Sequence, residues 1–507
     1  MAQILADQQG LGPNPIDSTG ICLLSLDGGG VRGLSTLHIL KSIMDWLNEE
    51  REKVGLLSVK PCEVFDLIGG TSTGGLIAIM LGRLEMDVDA CIEAYIELAE
   101  DVFSQKSSKS PVKINGELKP RFDSTKLESA IKKVLTQNDV SVNALFNDRT
   151  ERGCRTFVCA IDSDTTSIVR FRSYGLTGWP DYGATICQAA LATSAATSFF
   201  EPVTIDDQIF ADGAFGANNP VDEVEGEASN IWGSEDRDLK ELVKCFISVG
   251  TGKPGIKAFE TSIIKFLSKT VVRIATETET AERNAMERWA KHYDKNRYFR
   301  FNVHEGLEGI GLDEYQKKGL LKSATRAYLT HTTQRHRVRD CIHNLRLKQS
   351  RASASLASAV NEYRIRVQML LRTSHKACWV VPFARNPNFV DQRSQHTKLD
   401  QLEENLFSQH HPTTLAIYGL GGIGKTQVAL DLAYRARQKY PACSVFWISA
   451  DNAESVQQAF ANISLQLDVP RAKYNQTNVA KLLQHHLNQE GTRQWLLVVN
   501  NVDDVEI

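Results

Sequence analysis

Along the first 250 positions, apolar residues fall into short blocks separated by longer stretches of helical spacing. "ICLLSL" (21–26) is an apolar run broken by one serine, the pattern of a strand covered on both faces. It leads into "DGGGVRG", after which Leu34, Leu37, Leu40, Ile43, Met44 and Leu47 recur on one helical face. "EVFDLIGG" (63–70) reads as a second strand and passes directly into the helical "TSTGGLIAIMLG". "VDACIEAYIELAEDVF" (88–103) is amphipathic, with Asp87 placed to cap its first turn. Further strands are expected at 156–161, 167–174, 208–214 and 242–252, and a helix at 184–200. Residues 257–372 are helical in pattern and more charged. A new sheet opens at "TTLAIYGLGGIGKT" (413–426), with "LAIY" as its strand, and continues at 443–449 and 493–504. Strands alternating with helices predict an α/β protein. A mostly parallel sheet is sandwiched by helices, and a second, smaller α/β domain follows.

Composition narrows the partners. The 507 residues suggest roughly two to four domains. A hydrophobic content of 42% and a charged content of 23% fit an ordinary globular chain. The net charge of −3 supplies no global field toward nucleic acid, so no nucleic-acid partner is expected. Ten cysteines are scattered without a C-x-x-C pair, which favours reduced thiols and a cytoplasmic protein. No run approaches the roughly 18 apolar residues of a membrane span, so any membrane contact is expected to be peripheral. Two basic stretches are placed to meet anionic headgroups, or form plain solvated faces. One holds Lys106, Lys109, Lys113, Lys119 and Arg121; the other, 317–351, carries ten Lys or Arg against one acid, Asp340. Residues 1–19 show no periodicity and read as a disordered arm.

Candidate chemistry begins at "GTSTG", where Gly70-Thr71-Ser72-Thr73-Gly74 sits between a strand and a helix. A nucleophile elbow needs that context, because glycines tolerate the strained turn that presents the serine oxygen. The plain alternative is a small-residue connecting turn. Gly28, Gly30 and Gly33 satisfy G-x-G-x-x-G, but a dinucleotide site wants an acid at the end of the next strand. Glu49, Glu50 and Glu52, at the right distance, sit in the charged end of a helix instead. Three consecutive glycines, Gly28, Gly29 and Gly30, better suit an oxyanion hole built from backbone N–H groups. Asp212 lies just after the strand "QIFA" on a glycine turn, 140 residues beyond Ser72. Alone it reads as a turn residue; beside Ser72 it becomes a candidate base.

DGGGVRG, GTSTG and DGA, in this order, resemble the three motif blocks of the patatin-like phospholipases. "ATSAATSFFEPV", "NNP" and "ISVGTG" are similar to the same family. The likeness covers residues 20–350 and is strongest over 21–252. It implies a Ser–Asp dyad of Ser72 as nucleophile and Asp212 as general base, with Gly28–Gly30 as the oxyanion loop. Arg32 matches the family's arginine, either bracing that loop or serving in a structural ion pair. Gly33, Gly70, Gly74 and Gly213 support the motifs. The implied activity is lipid acyl hydrolysis without a cofactor, on a lipid or phospholipid substrate.

"GLGGIGKT" (419–426) satisfies G-x-x-x-x-G-K-[ST] between a strand and a helix. Gly419, Gly421, Gly422 and Gly424 shape a loop whose N–H groups face phosphates; Lys425 reaches the terminal phosphates, and Thr426 holds Mg²⁺. The wording resembles NB-ARC domains, and "VPFARNPNFVDQR" (381–393) their lead-in. This resemblance implies an adenine nucleotide, ATP or ADP with Mg²⁺, and oligomerisation through the module. In "WLLVVNNVDD", Asn500 stands where the family has its first acid, so hydrolysis is less secure than binding; Asp503 and Asp504 are partial substitutes. The sequence ends about 80 residues past the loop, so the expectation is either a fragment or shortened gene model of a longer protein, or a partial module.

The expected organisation is an arm (1–19), an acyl hydrolase domain (20–350), a linker (351–395) and a partial P-loop domain (396–507). The expected function is lipid acyl hydrolysis with an appended nucleotide-binding regulatory module. Its rival is a nucleotide-switched signalling scaffold whose first domain binds lipid or partners without turnover.

Overall fold

The computed structural model describes residues 14–502, apart from 105–119, 197–198, 234–237, 253–276, 308–309, 350–354 and 375–376. In the C-terminal part, 388, 390–399, 403, 405, 408–413, 442, 468, 470–478 and 488–493 also lie outside the description. The basic loop positions 106–119 and the acids Asp503 and Asp504 therefore fall outside the described residues. The chain divides into two compact units, Pro13–Asn361 and Glu362–Ile507.

The first unit is built on one sheet. Its strands are β1 (Ile21–Leu26), β2 (Leu67–Thr71), β3 (Arg155–Asp162), β4 (Ile168–Arg172), β5 (Val203–Ile205), β6 (Gln208–Asp212), β7 (Val243–Val249) and β8 (Tyr298–Phe301). The order is β5-β6-β3-β2-β1-β7-β8, with β4 also paired to β3. The centre, β3-β2-β1-β7-β8, is parallel, and β4, β5 and β6 are antiparallel additions. Successive β1 residues point to opposite faces, as strand geometry requires. Cys22, Leu24 and Leu26 enter one core, Ile21 and Leu23 the other. Helices Gly33–Glu52, Val88–Phe103, Ser124–Gln137, Ile186–Ser194, Lys318–Thr330 and Thr332–Leu345 cover the first face. Helices Pro15–Thr19, Val221–Trp232 and the start of Leu356–Ser374 supply apolar residues to the second. Both faces are covered, which is why β1 reads as a nearly continuous apolar run.

Several expectations need correction. The arm does not extend to residue 19: Asn14 caps a single helical turn, Pro15–Thr19, whose Ile16 is buried in the second core. The strand expected from residue 63 starts at Leu67, because Pro61 opens a short helix, Pro61–Val64. The helix expected over 184–200 ends at Ser194, since the next carbonyl, that of Ala195, accepts the Asp212 N–H. The stretch read as helical after 257 contains β8, paired to β7. The linker expected over 351–395 is crossed by helix Leu356–Ser374, whose Leu356 and Val360 are buried.

The second unit has a three-stranded parallel sheet: β9 (Trp379–Val380), β10 (Ser444–Ser449) and β11 (Trp495–Asn500). Phe446 and Ile448 pack with Ile463 and Leu483 from helices Ala453–Gln466 and Val479–Leu487. Val445 packs against Ala433 and Ala436 of helix Lys425–Lys439. "LAIY", read as the strand before the glycine loop, joins no ladder among the described residues, and Leu415 and Ile417 are each 37% exposed. β9 and β11 flank β10 on its two sides.

Candidate active site

β2 ends at Thr71 and the next helix starts at Thr73, so Ser72 alone makes the turn. Its φ of 56° and ψ of −125° are strained values for a residue with a side chain, at a cost of about 1–3 kcal/mol. The glycines on either side make the turn possible. A Cβ on Gly70 would lie 2.2 Å from the Gly74 carbonyl oxygen, and one on Gly74 2.2 Å from that of Leu26. The Ser72 N–H donates to Thr193 Oγ1 at 2.9 Å, and Thr193 donates onward to the Cys159 carbonyl at 2.6 Å.

The register of β3 brings Asp212 to this turn. Residues 157–159 of β3 carry β2 on one edge and β4 on the other. Residues 160–161 carry β4 and β6, so β6 takes over the edge that β2 leaves at Thr71. Cys159 pairs with Thr71 and Ala160 with Asp212, at successive positions of the same strand. The Ser72 hydroxyl donates to Asp212 Oδ2 at 2.7 Å, while Asp212 Oδ1 accepts the Ala214 N–H at 2.8 Å. Gly213 fits under the Cys159 carbonyl, 2.5 Å from where a Cβ would be. Asp212 is 2% exposed, and burial raises its pKa to about 7, against the downward pull of the Ala214 amide and the Ser72 hydroxyl.

The glycine loop lies beside the serine: a Cβ on Gly28 would be 3.1 Å from the Ser72 Cβ. Gly30 adopts a left-handed φ of 55°. Every loop carbonyl is held. Gly28 O accepts from Thr251 Oγ1 at 2.9 Å, Gly29 O from Arg32 Nε at 3.5 Å and Gly30 O from Tyr95 OH at 2.6 Å. Arg32 thus braces the loop, and among the described residues no carboxylate pairs with it; burial lowers its pKa to about 10. Gly33 packs on Tyr95, whose hydroxyl would be 2.6 Å from an added Cβ. The amides differ among themselves. Gly28 N–H donates to the Asn218 carbonyl at 3.0 Å and Gly29 N–H to Thr73 Oγ1 at 3.1 Å. Among the described residues, Gly30 N–H has no acceptor.

In the second unit, Gly424 (φ 93°) leads into helix Lys425–Lys439. The Lys425 ammonium donates to the Gly419 and Leu420 carbonyls at 2.7 and 3.0 Å. Gly422 is also left-handed, and Gly421 has no neighbour within 4 Å of an added Cβ. The Thr426 hydroxyl donates to Asn500 Oδ1 at 3.0 Å, and Asn501 Nδ2 donates to Asp451 at 2.8 Å. The loop, the lysine and the helix start fit phosphate. The described donors at the metal position, Thr426 and Asn500, are both neutral and fit Mg²⁺ less well.

Residues 24–224 match the family model for patatin-like phospholipase, and residues 395–506 that for the NB-ARC domain. The chain carries a patatin-like phospholipase domain and an NB-ARC domain. It is similar to a nucleotide-binding leucine-rich repeat (NLR)-like protein of Hyaloscypha variabilis, 40% identical over 129 residues, 25% of this chain and 13% of that protein. Calcium-independent phospholipase A2-gamma of Mus musculus is 30% identical over 320 residues, 61% of this chain and 38% of that protein. A cGAMP-activated phospholipase of Vibrio cholerae is 31% identical over 222 residues, 41% and 59% of the respective chains. The chain therefore spans less than two thirds of each relative's length. Among the described residues, no helix is long and apolar enough to cross a membrane.

The patatin-like domain brings Ser72, Asp212 and Gly28–Gly30 to one rim of the sheet. Thr193, Tyr95, Thr251 and Arg300, which support them, escaped the sequence reading. Thr193 and Tyr95 read as ordinary helix residues, Thr251 fell in a run read as a strand, and Arg300 lies in a stretch read as helical. The 317–351 stretch is not one basic patch. Lys318 pairs with Glu100, Arg346 with Glu50 and Lys348 with buried Asp66, while Arg337 lies over the Tyr293 and Phe299 rings. Arg121, from the other basic stretch, pairs with Asp313.

Proposed function

We propose that the protein is a lipid acyl hydrolase acting through a Ser72–Asp212 dyad, with an NB-ARC module that binds an adenine nucleotide as a regulatory element. The Asp212 carboxylate takes the proton from Ser72 Oγ as that oxygen bonds to the ester carbonyl carbon. The carbonyl electron pair moves onto oxygen, and the oxyanion is met by the glycine loop, above all by the Gly30 N–H. Collapse restores the carbonyl and breaks the ester C–O bond, and Asp212 returns its proton to the departing alkoxide. A water, deprotonated by Asp212, then attacks the acyl-enzyme; the fatty acid leaves and Ser72 regains its proton. No cofactor takes part in these steps.

The observation that carries this reading is the 2.7 Å hydrogen bond between Ser72 and Asp212 on a strained turn beside the glycine loop. The phospholipase names of two relatives support a lipid ester as substrate. The proposed setting is the cytoplasm, with the lipid met at a membrane surface. Lys425, Thr426 and the Gly419–Gly424 loop would hold the nucleotide phosphates. The test is fatty-acid release from phospholipid vesicles by wild type, Ser72→Ala and Asp212→Asn. Both variants should lose about 10³-fold or more. Equal, background release by all three would favour a lipid-binding scaffold without turnover.

A further inference from the structure

The oxyanion loop is held from a part of the chain beyond the 24–224 match. Asp27, the residue that opens the loop, is 2% exposed and follows β1 directly. Both its oxygens accept from Arg300: Nη1 to Oδ1 at 2.9 Å and Nη2 to Oδ2 at 2.6 Å. Arg300 lies on β8 opposite Ser248 of β7, and its side chain, 4% exposed, also donates to Ser248 Oγ at 2.8 Å and to Glu282 at 3.1 Å. The guanidinium thus reaches across β7 to the end of β1. A two-pronged pair of this kind fixes direction as well as distance, which an ammonium cannot do.

The same stretch returns to the loop twelve residues later. The Leu312 carbonyl accepts the Val31 N–H at 2.9 Å and lies 2.2 Å from where a Cβ on Gly30 would be. Asp313 is paired with Arg121 at 2.9 Å. The loop is therefore clamped at its first residue by Arg300 and just past its last glycine by Leu312. Between those two points lies Gly30, whose N–H has no acceptor among the described residues.

We infer that Arg300 is a positioning residue of the hydrolytic site: it orients Asp27 and, through it, the amides of the Gly28–Gly30 loop. The inference rests on the hydrolase reading above. Arg300 touches no reacting atom in that reading, and its effect falls on the transition state, where the oxyanion first needs its donors.

The test uses the full chain and a soluble short-chain nitrophenyl ester, with Ser72→Ala as the background. Arg300→Lys keeps the charge and loses the two-pronged geometry. It should lower kcat by about 10²-fold, the cost of a displacement near 1 Å, with KM changed far less. Reaction of Ser72 with a fluorophosphonate, whose phosphoryl oxygen needs the same donors, should slow in parallel. Because a lone buried charge can unfold a domain, the paired variant Asp27→Asn/Arg300→Gln is measured alongside. It should recover melting temperature relative to Arg300→Gln while kcat stays depressed. A folded Arg300→Lys with wild-type kcat, or a paired variant whose kcat recovers together with its stability, would overturn the inference. A wild type no faster than Ser72→Ala would overturn the hydrolase reading and this inference with it.

Discussion

As the proposed base, Asp212 meets two demands that pull against each other. A base must be ionised, yet this carboxyl is buried, with a pKa raised to about 7. Activity that depends on it should rise with pH and level off above about 7, where kcat/KM profiles would show the inflection. Stability should run the other way. The folded chain keeps a proton that the unfolded chain releases near its ordinary value of 3.8. Stability from this group is therefore full below that value and falls as pH climbs toward 7. Asp212→Asn removes the charge and keeps an acceptor for the Ala214 N–H. At pH 8 it should melt higher than wild type, by a margin on the order of a few kcal/mol, and at pH 4 the margin should shrink. An inactive variant with the same margin at both pH values would place the raised pKa in doubt. Gly30 poses a steric demand instead. Gly30→Ala forces a side chain into a left-handed turn and against the Leu312 carbonyl. A loss of about 1–3 kcal/mol in chemical denaturation, with a drop in kcat, is expected.

Elements differ in how far their pattern reveals them. β1 and the helix after it were legible because apolar spacing alone defines them, and Asp87 caps its helix as read, accepting the Ala90 N–H at 2.8 Å. β8 was not legible: "YFRF" is four residues inside a charged, helix-like stretch, and it becomes a strand by pairing with β7. The basic stretch at 317–351 misled for a related reason. Sequence counts charges, but only packing shows that Lys348 is buried, donating to Asp66 and to the Gly20 carbonyl, each at 2.7 Å. That bond ties the segment after helix Thr332–Leu345 to the foot of β1, where Asp66 also accepts the Cys22 N–H at 2.8 Å. Lys348→Met removes the ammonium that faces a buried carboxylate and should cost about 3–5 kcal/mol in urea unfolding. Adding Asp66→Asn should recover most of it. If the single variant unfolds like wild type, the pair is a bystander.

At the scale of the whole molecule, the two α/β units and their two glycine loops were readable, because each loop runs into the start of a helix and its chemistry is local, although the strand read before the second loop joins no ladder among the described residues. The meeting of Ser72 with Asp212 was readable only through resemblance; its physical cause, β6 taking over the β3 edge that β2 leaves, is a property of register. The P-loop invites a sharper test, because one residue departs from the expected chemistry. Thr426 donates to the amide oxygen of Asn500, where a carboxylate would attract a divalent ion by charge as well as by coordination. Nucleotide held mainly by the loop amides and Lys425 should then bind with little dependence on Mg²⁺. Titrating ADP calorimetrically into the full chain, with Mg²⁺ and with EDTA, measures that dependence directly. Wild type should bind within a few-fold in the two conditions, whereas Asn500→Asp should bind about tenfold more tightly with Mg²⁺. Lys425→Ala should lose binding in both and, with no nucleotide added, cleave a soluble ester at the wild-type rate, since its lysine belongs to the other unit. If wild type already depends on Mg²⁺ as steeply as Asn500→Asp, then the charge at position 500 does not set the metal requirement.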